Sequence, residues 1–304
     1  MEEYEETSIP SHNIFFSSLI EKHKTIYHQI LNSKDQLDLK GSNLTDEEKI
    51  DDDKMIVISE ALKINSSFNK IYFANNKIGN KGIKFFSDFL KINCSLKEID
   101  LSWNNVGLEG IEYLSEALKI NSTLTNLNLW RNNEIGDEGM KYLSESLKFN
   151  CSLVSIYLRT VNIKDEGIKC LFEALKFNSS LKKIDLSNNK IGDEGMKYLS
   201  EYLKLNGPLS DLDLQNNALK DEGAKHILDS LSFNNNLNKI NLGGNKISET
   251  IQNEIFSLVE ENEKNREQST MRLRENSKYS KKMKFSTIIL VKINLFCFKN
   301  KNIK

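Results

Sequence analysis

Proline is nearly missing from this chain of 304 residues. Only Pro10 and Pro208 occur, so no stiff proline-rich linker divides it. Cysteine is scarce as well. Cys94, Cys151, Cys170 and Cys297 form no Cys-x-x-Cys pair and no Cys/His cluster, which argues against a zinc site, and no metal or cofactor is expected. Neither sign of charge dominates, with 42 basic against 43 acidic residues. The opening, Met1 to Thr7, is acidic and lacks the basic-then-apolar order of a secretory signal. Catalytic signatures are missing too: no phosphate-binding Gly-x-x-x-x-Gly-Lys-Ser/Thr loop and no Gly-x-Ser-x-Gly elbow. His12, His23, His28 and His226 all fall outside the strand-like segments where a general base would be aligned. The chain therefore reads as no enzyme.

What is present is a repeated sentence. Segments opening at Phe68, Leu96, Leu124, Leu153, Leu181 and Leu209 read L-x-x-L-x-L-x-x-N-x-I-x-x-x-G, continue into a helical stretch and end in Leu-x-x-Asn; a seventh opens at Leu237. The openings are 28 residues apart, except for 29 between Leu124 and Leu153. A fixed period in this range marks a solenoid, in which each coil buries its apolar face only against its neighbours.

One coil, Leu181 to Pro208, shows the local logic. Leu181, Ile184 and Leu186 point one way while Lys183, Asp185 and Ser187 alternate outward, the two-residue period of a strand with one buried face. Asn189 follows in a tight bend, matched by Asn76, Asn104, Asn132, Asn217 and Asn245. A side-chain amide there can bond the backbone of adjoining turns and form a ladder of structural staples. Asp193 reads as the N-cap of the next helix, as do Asp137, Asp165 and Asp221. Met196, Leu199 and Leu203 share one helical stripe. Asn206 closes the helix, as do Asn93, Asn121, Asn150, Asn178 and Asn234, a role that suits a residue tolerant of left-handed backbone.

These repeats resemble leucine-rich repeats of the ribonuclease-inhibitor type, also seen in nucleotide-binding immune-type receptors and Ran GTPase-activating proteins. The resemblance covers about Lys34 to Asn262. It implies an α/β horseshoe with a parallel sheet on the concave face and helices on the convex face.

The expected organisation is a helical N-terminal cap over 1–33, the solenoid over 34–262 and a basic extension over 263–304. Asn13 to Leu31 reads as one capping helix, and the acidic run Asp46 to Asp53 as a solvated loop. In the fourth repeat Val161 replaces the ladder Asn, and the third carries an extra residue near Asn133 and Glu134. From Lys264 onward twelve basic residues face two acidic ones, so the body before it carries about −11 of the total −1. The apolar run Phe285 to Phe298 is too short for the ~20 residues of a bilayer span. It reads as a capping element or an extension, with peripheral membrane contact as the alternative. The acidic body argues against nucleic acid as a partner. Cys94 and Cys151 hold matching places two coils apart. With strands roughly 4.8 Å apart, that spacing exceeds the ~7 Å reach of a disulfide, and a reducing, cytoplasmic setting is expected.

The outward strand residues give a map of the concave face. Both tryptophans, Trp103 and Trp130, fall on it, with Arg131, Tyr157 and Arg159 in adjoining coils and Asp100, Asp185, Asp211 and Asp213 flanking them. Trp, Tyr and Arg are the residues that most often dominate interface energies. A protein partner with basic surface is expected there, bound by a non-enzymatic scaffold or adaptor. The resemblance offers one alternative from another class, a Ran-GAP-like activator whose partner is a small GTPase, with Arg131 or Arg159 as an arginine finger.

Overall fold

The computed structural model describes residues 11–268 and residue 271. The chain divides into two compact units, Met1–Val259 and Glu260–Lys304, and the account that follows concerns the first. Beyond 271 the basic extension lies outside the described residues, and with it the expected membrane contact and Cys297.

Two helices open the unit, α1 (Ser11–Lys22) and α2 (Lys24–Asn32). The single capping helix read from the sequence is thus broken at His23, whose φ of −117° and ψ of 31° leave the helical region. Strand and helix then alternate: β1 (Gln36–Asp38), α3 (Asp52–Ile64), β2 (Lys70–Tyr72), α4 (Asn80–Ile92), β3 (Glu98–Asp100), α5 (Leu108–Ile120), β4 (Asn126–Asn128), α6 (Gly136–Leu147), β5 (Ser155–Tyr157), α7 (Asp165–Leu175), β6 (Lys183–Asp185), α8 (Asp193–Leu203), β7 (Asp211–Asp213), α9 (Asp221–Leu231) and β8 (Lys239–Asn241). The strands form one parallel eight-stranded sheet in chain order, the α/β solenoid that the repeat requires. Each strand is only three residues long because the chain must turn back to its helix within one coil.

Register is uniform, so equivalent residues line up in rows. Tyr72, Asp100, Asn128, Tyr157, Asp185 and Asp213 are successive partners across the sheet. The middle residue of each strand from Leu37 to Leu212 points into the core, and Ile71, Ile99, Leu127 and Ile156 are fully buried. Helix stripes such as Leu114 with Leu118, and Leu143 with Leu147, close over them. The N-terminal coils add aromatic packing, with the Phe73 and Phe86 rings edge to face at 5.6 Å. Ile30 at one end, and Ile255 and Val259 at the other, shield the open ends of this core.

Polar staples join the coils. The side-chain oxygens of Asn76, Asn104, Asn132, Asn189, Asn217 and Asn245 each accept a backbone N–H of the preceding coil. Their amide nitrogens donate to a carbonyl of that coil and to one of their own. A buried backbone group without a partner costs about 1–3 kcal/mol, so the ladder offsets the polar cost of turning the chain inside the solenoid.

Two sequence expectations are corrected here. Asp137, Asp165, Asp193 and Asp221 do not cap their own helices, since Ile135, Lys164, Gly192 and Lys220 stand at the cap positions of α6, α7, α8 and α9 without a side-chain bond. Each carboxylate instead reaches the start of the next helix. Asp137 accepts the N–H groups of Lys164 and Gly167, and Asp193 accepts those of Lys220 and Gly223. Asp165 takes Gly192 N–H, and Asp221 takes Ser248 N–H. Helix starts lie side by side, so one carboxylate meets the positive ends of two helices. The acidic run is corrected by the same device. Its end is helical from Asp52, which bonds Gly79 and Gly82 of the following coil, while Asp51 caps α3.

The helix-closing asparagines form a second ladder. Asn93 and Asn121 have φ of −76° and −68°, and of the six only Asn206 is left-handed. Asn121 donates to Leu90 and Asn93 carbonyls and accepts from Thr123 and Leu124. Asn150 and Asn178 repeat the pattern one and two coils on.

The first ladder is broken once. At Val161 the missing rung is replaced by a backbone bond from Gly136 N–H to the Val161 carbonyl, at 2.9 Å. Gly136 lies in the adjacent coil beside the extra residue, and its φ of +55° absorbs the insertion.

Candidate functional site

From β2 onward, the two outer residues of each strand, and the second and third residues after its end, lie on the side away from the helices, while the first residue after its end is buried. The last of these four places is left-handed in seven successive coils. Asn75, Trp103, Arg131, Thr160, Asn188 and Asn216 have φ between +53° and +59°, and Gly244 has +72°. Three of the seven are Asn and one is Gly, residues that adopt this conformation readily. Trp103, Arg131 and Thr160 are not. Each carries a cost on the order of 1–2 kcal/mol for a crowded Cβ, and Thr is the least suited of all because its side chain branches at Cβ. The backbone enforces the geometry, because Trp103 N–H donates to the Trp130 carbonyl at 2.7 Å and Arg131 N–H to that of Arg159 at 2.9 Å.

The side chains held there interlock. Trp103 and Trp130 meet edge to face, with ring centroids 5.7 Å apart. The Arg131 guanidinium lies 3.7 Å from the centre of the Trp103 ring, and that of Arg159 lies 5.0 Å from the Trp130 ring. The result is a staircase in which each arginine rests on the indole of the coil before it. Cation–π contacts of this kind contribute about 0.5–2 kcal/mol each. Trp103 is 39 % exposed and Trp130 is half-buried, so neither indole is part of the core. Tyr157 lies beside them, with Lys183 Nζ 5.3 Å over its ring.

The flanking carboxylates have a second task. Asp100, Asp185 and Asp213 each accept the backbone N–H two residues on, at Ser102, Ser187 and Gln215. Asn128 does the same for Trp130. These residues thus close the strand ends while lining the same face. Earlier on the face, Lys70 pairs with Glu98 at 2.9 Å. The Glu98 carboxylate holds the Lys70 ammonium above the ordinary lysine range, and burial pushes the Tyr72 phenol up.

Sequence mapping located Trp103, Trp130, Arg131, Tyr157 and Arg159, and the structure brings them together. It did not reveal the left-handed place or single out Thr160. The signal was there, since Asn75, Asn188, Asn216 and Gly244 share that position. Among the described residues no cluster of His, Cys, Asp and Glu could hold a metal ion. Cys94, Cys151 and Cys170 are free thiols, and no described helix is long and apolar enough to cross a membrane. A cavity of about 560 Å³ lies at the N-terminal coils, lined by Lys22, His23, Lys40, Leu44 and Lys54 among others.

The pattern of the leucine-rich repeat family matches the chain in four segments, residues 93–115, 121–144, 177–200 and 206–228. No curated protein matches the chain. Among solved structures, the chain is similar to the actin-binding site 2 of leiomodin-1. The identity is 16 % and the TM-score 0.38, over 74 % of this chain and 96 % of that one.

Proposed function

We propose that this leucine-rich repeat protein is a non-enzymatic scaffold or adaptor that holds another protein against the open face of its sheet. The observation that carries the proposal is the staircase of Trp103, Trp130, Arg131 and Arg159. Four interface-prone side chains are locked together on an exposed surface, two of them on unfavourable backbone. Strain at a surface position without return to the core is the mark of a functional site. Coils of 28–29 residues, each with a full helix, favour the ribonuclease-inhibitor-like class, in which this face is the concave one. We take residues 34–262 as the binding unit and place the protein in the cytoplasm, where its exposed thiols stay reduced.

The activator reading finds less support. An arginine finger must reach out to a bound nucleotide, whereas both arginines lie down on indole rings.

The test is capture of partner proteins by the purified chain and by the double variant Trp130→Ala, Arg131→Ala. Loss of a central anchor worth about 2 kcal/mol lowers affinity roughly 30-fold, with an unchanged circular dichroism spectrum. Undiminished capture by the variant would reject the face as the binding surface.

A further inference from the structure

The staircase has a chemistry of its own. We infer that it is a receptor for a single carboxylate, presented by an acidic side chain of a peptide segment in the partner; this rests on the sheet-face reading above. Three observations carry it.

The first is the state of the two arginines. Neither guanidinium lies within ion-pair distance of a carboxylate among the described residues, and Arg159 Nε is buried without a hydrogen-bond partner. Stacking on an indole uses the flat face of a guanidinium. It leaves the terminal N–H groups of the fork unpaired, whereas the buried Arg159 Nε lies out of a ligand's reach, and such a fork grips a carboxylate with two parallel bonds. The second is rigidity. Each arginine is pinned by the ring beneath it, and Arg131 also by a left-handed backbone. Little freedom is left to lose on binding.

The third is the distribution of charge. The outward residues of β4 and β5 are Asn126, Asn128, Ser155 and Tyr157, with no carboxylate among them. On one side lie Asp100 and Glu98, the latter paired with Lys70, and on the other Lys183 and Asp185, then Asp211 and Asp213. The carboxylate-free window is thus two strands wide, roughly 10 Å, with Lys183 at its rim and Asp100, Asp185, Asp211 and Asp213 beyond. An extended polyanion such as nucleic acid would meet repulsion on both sides. One acidic residue on a peptide whose neighbours are neutral or basic fits the window and its flanks together.

Random dodecapeptides displayed on phage and selected against the immobilised full chain test this. Selected sequences should share an Asp or Glu. One such peptide, synthesised with both ends blocked, should alter the emission of the protein's tryptophans, since both of them lie in the site. The double variant Arg131→Asn, Arg159→Gln should bind it at least tenfold more weakly, although Asn suits the left-handed backbone and keeps the chain folded. Replacing the peptide's shared acid by its amide should cost the same factor, with no further loss against the variant. Shared Lys or Arg in the selected peptides, with binding still sensitive to Trp130→Ala, would overturn the carboxylate inference and leave the sheet-face reading standing. Binding insensitive to all four staircase residues would overturn both.

Discussion

The coils from Lys183 to Gly244 and those from Glu98 to Val161 share one backbone but answer different demands. In the later coils every special position holds the residue its geometry favours. The left-handed place has Asn188, Asn216 and Gly244, and the ladder has Asn189, Asn217 and Asn245 without a gap. In the earlier coils the left-handed place holds Trp103, Arg131 and Thr160, a rung is lost at Val161, and an inserted residue is absorbed at Gly136. The later coils show what folding alone selects. Val161 joins the core, but the left-handed Trp103, Arg131 and Thr160 return nothing to it, and these departures gather around the aromatic–arginine staircase.

The largest effects test whether the two regions share one core. Leu186→Ala in the regular coils and Leu129→Ala in the irregular ones, both fully buried, should each cost about 2–5 kcal/mol in urea denaturation. A much smaller loss at Leu129 would mean that the irregular coils are loosely packed and would spoil the comparison. Next comes the ladder. Asn132→Ala strands Val106 N–H and the Leu129 carbonyl, which has no second amide because the following rung is missing. Asn217→Ala strands Ile191 N–H alone, since Asn189 and Asn245 still serve the Leu186 and Leu214 carbonyls and the Gln215 carbonyl still accepts Asn188 N–H. The first should therefore cost about 3 kcal/mol and the second about 2. Equal losses would show that the gap at Val161 is energetically silent.

Asp193→Ala removes the acceptor for Lys220 and Gly223 and should cost about 1–2 kcal/mol. Hydrogen exchange should speed up at the start of α9 rather than α8; the reverse would restore the local N-cap read from the sequence. The smallest effects sharpen the contrast most. Arg131→Asn should raise stability by about 1 kcal/mol, and Asn216→Arg should lower it by a similar amount. A fall in denaturation midpoint for Arg131→Asn would mean that the cation–π contact outweighs the backbone cost.

The architecture was legible because the same residue types recur at one period, and seven copies average out local noise. The strands, the helix stripes and the first asparagine ladder are visible in the sequence for that reason. What escaped was whatever depends on which coil a side chain reaches. An Asp at a helix start has the same spacing whether it serves its own helix or the next, and only the stacking decides. Asn93 and Asn121 end their helices as read, but without left-handed backbone, and the amides of Asn121, Asn150 and Asn178 are drawn to carbonyls one coil back. The break at His23 carries no Gly or Pro to announce it. On the candidate face, alternation placed the tryptophans and arginines correctly. It could not show that Asp100, Asp185 and Asp213 also hold their own strand ends.

The two kinds of staple point in opposite directions along the chain. Asparagine oxygens reach backward to the preceding coil, and aspartate oxygens reach forward to the following one. A coil is therefore a module with matching connectors at both ends. Excising or duplicating one whole period of 28 residues among the regular coils restores every connector, whereas a change of one or two residues mates none. Lineages carrying this protein can thus lengthen or shorten its reach in whole steps while the binding staircase stays untouched.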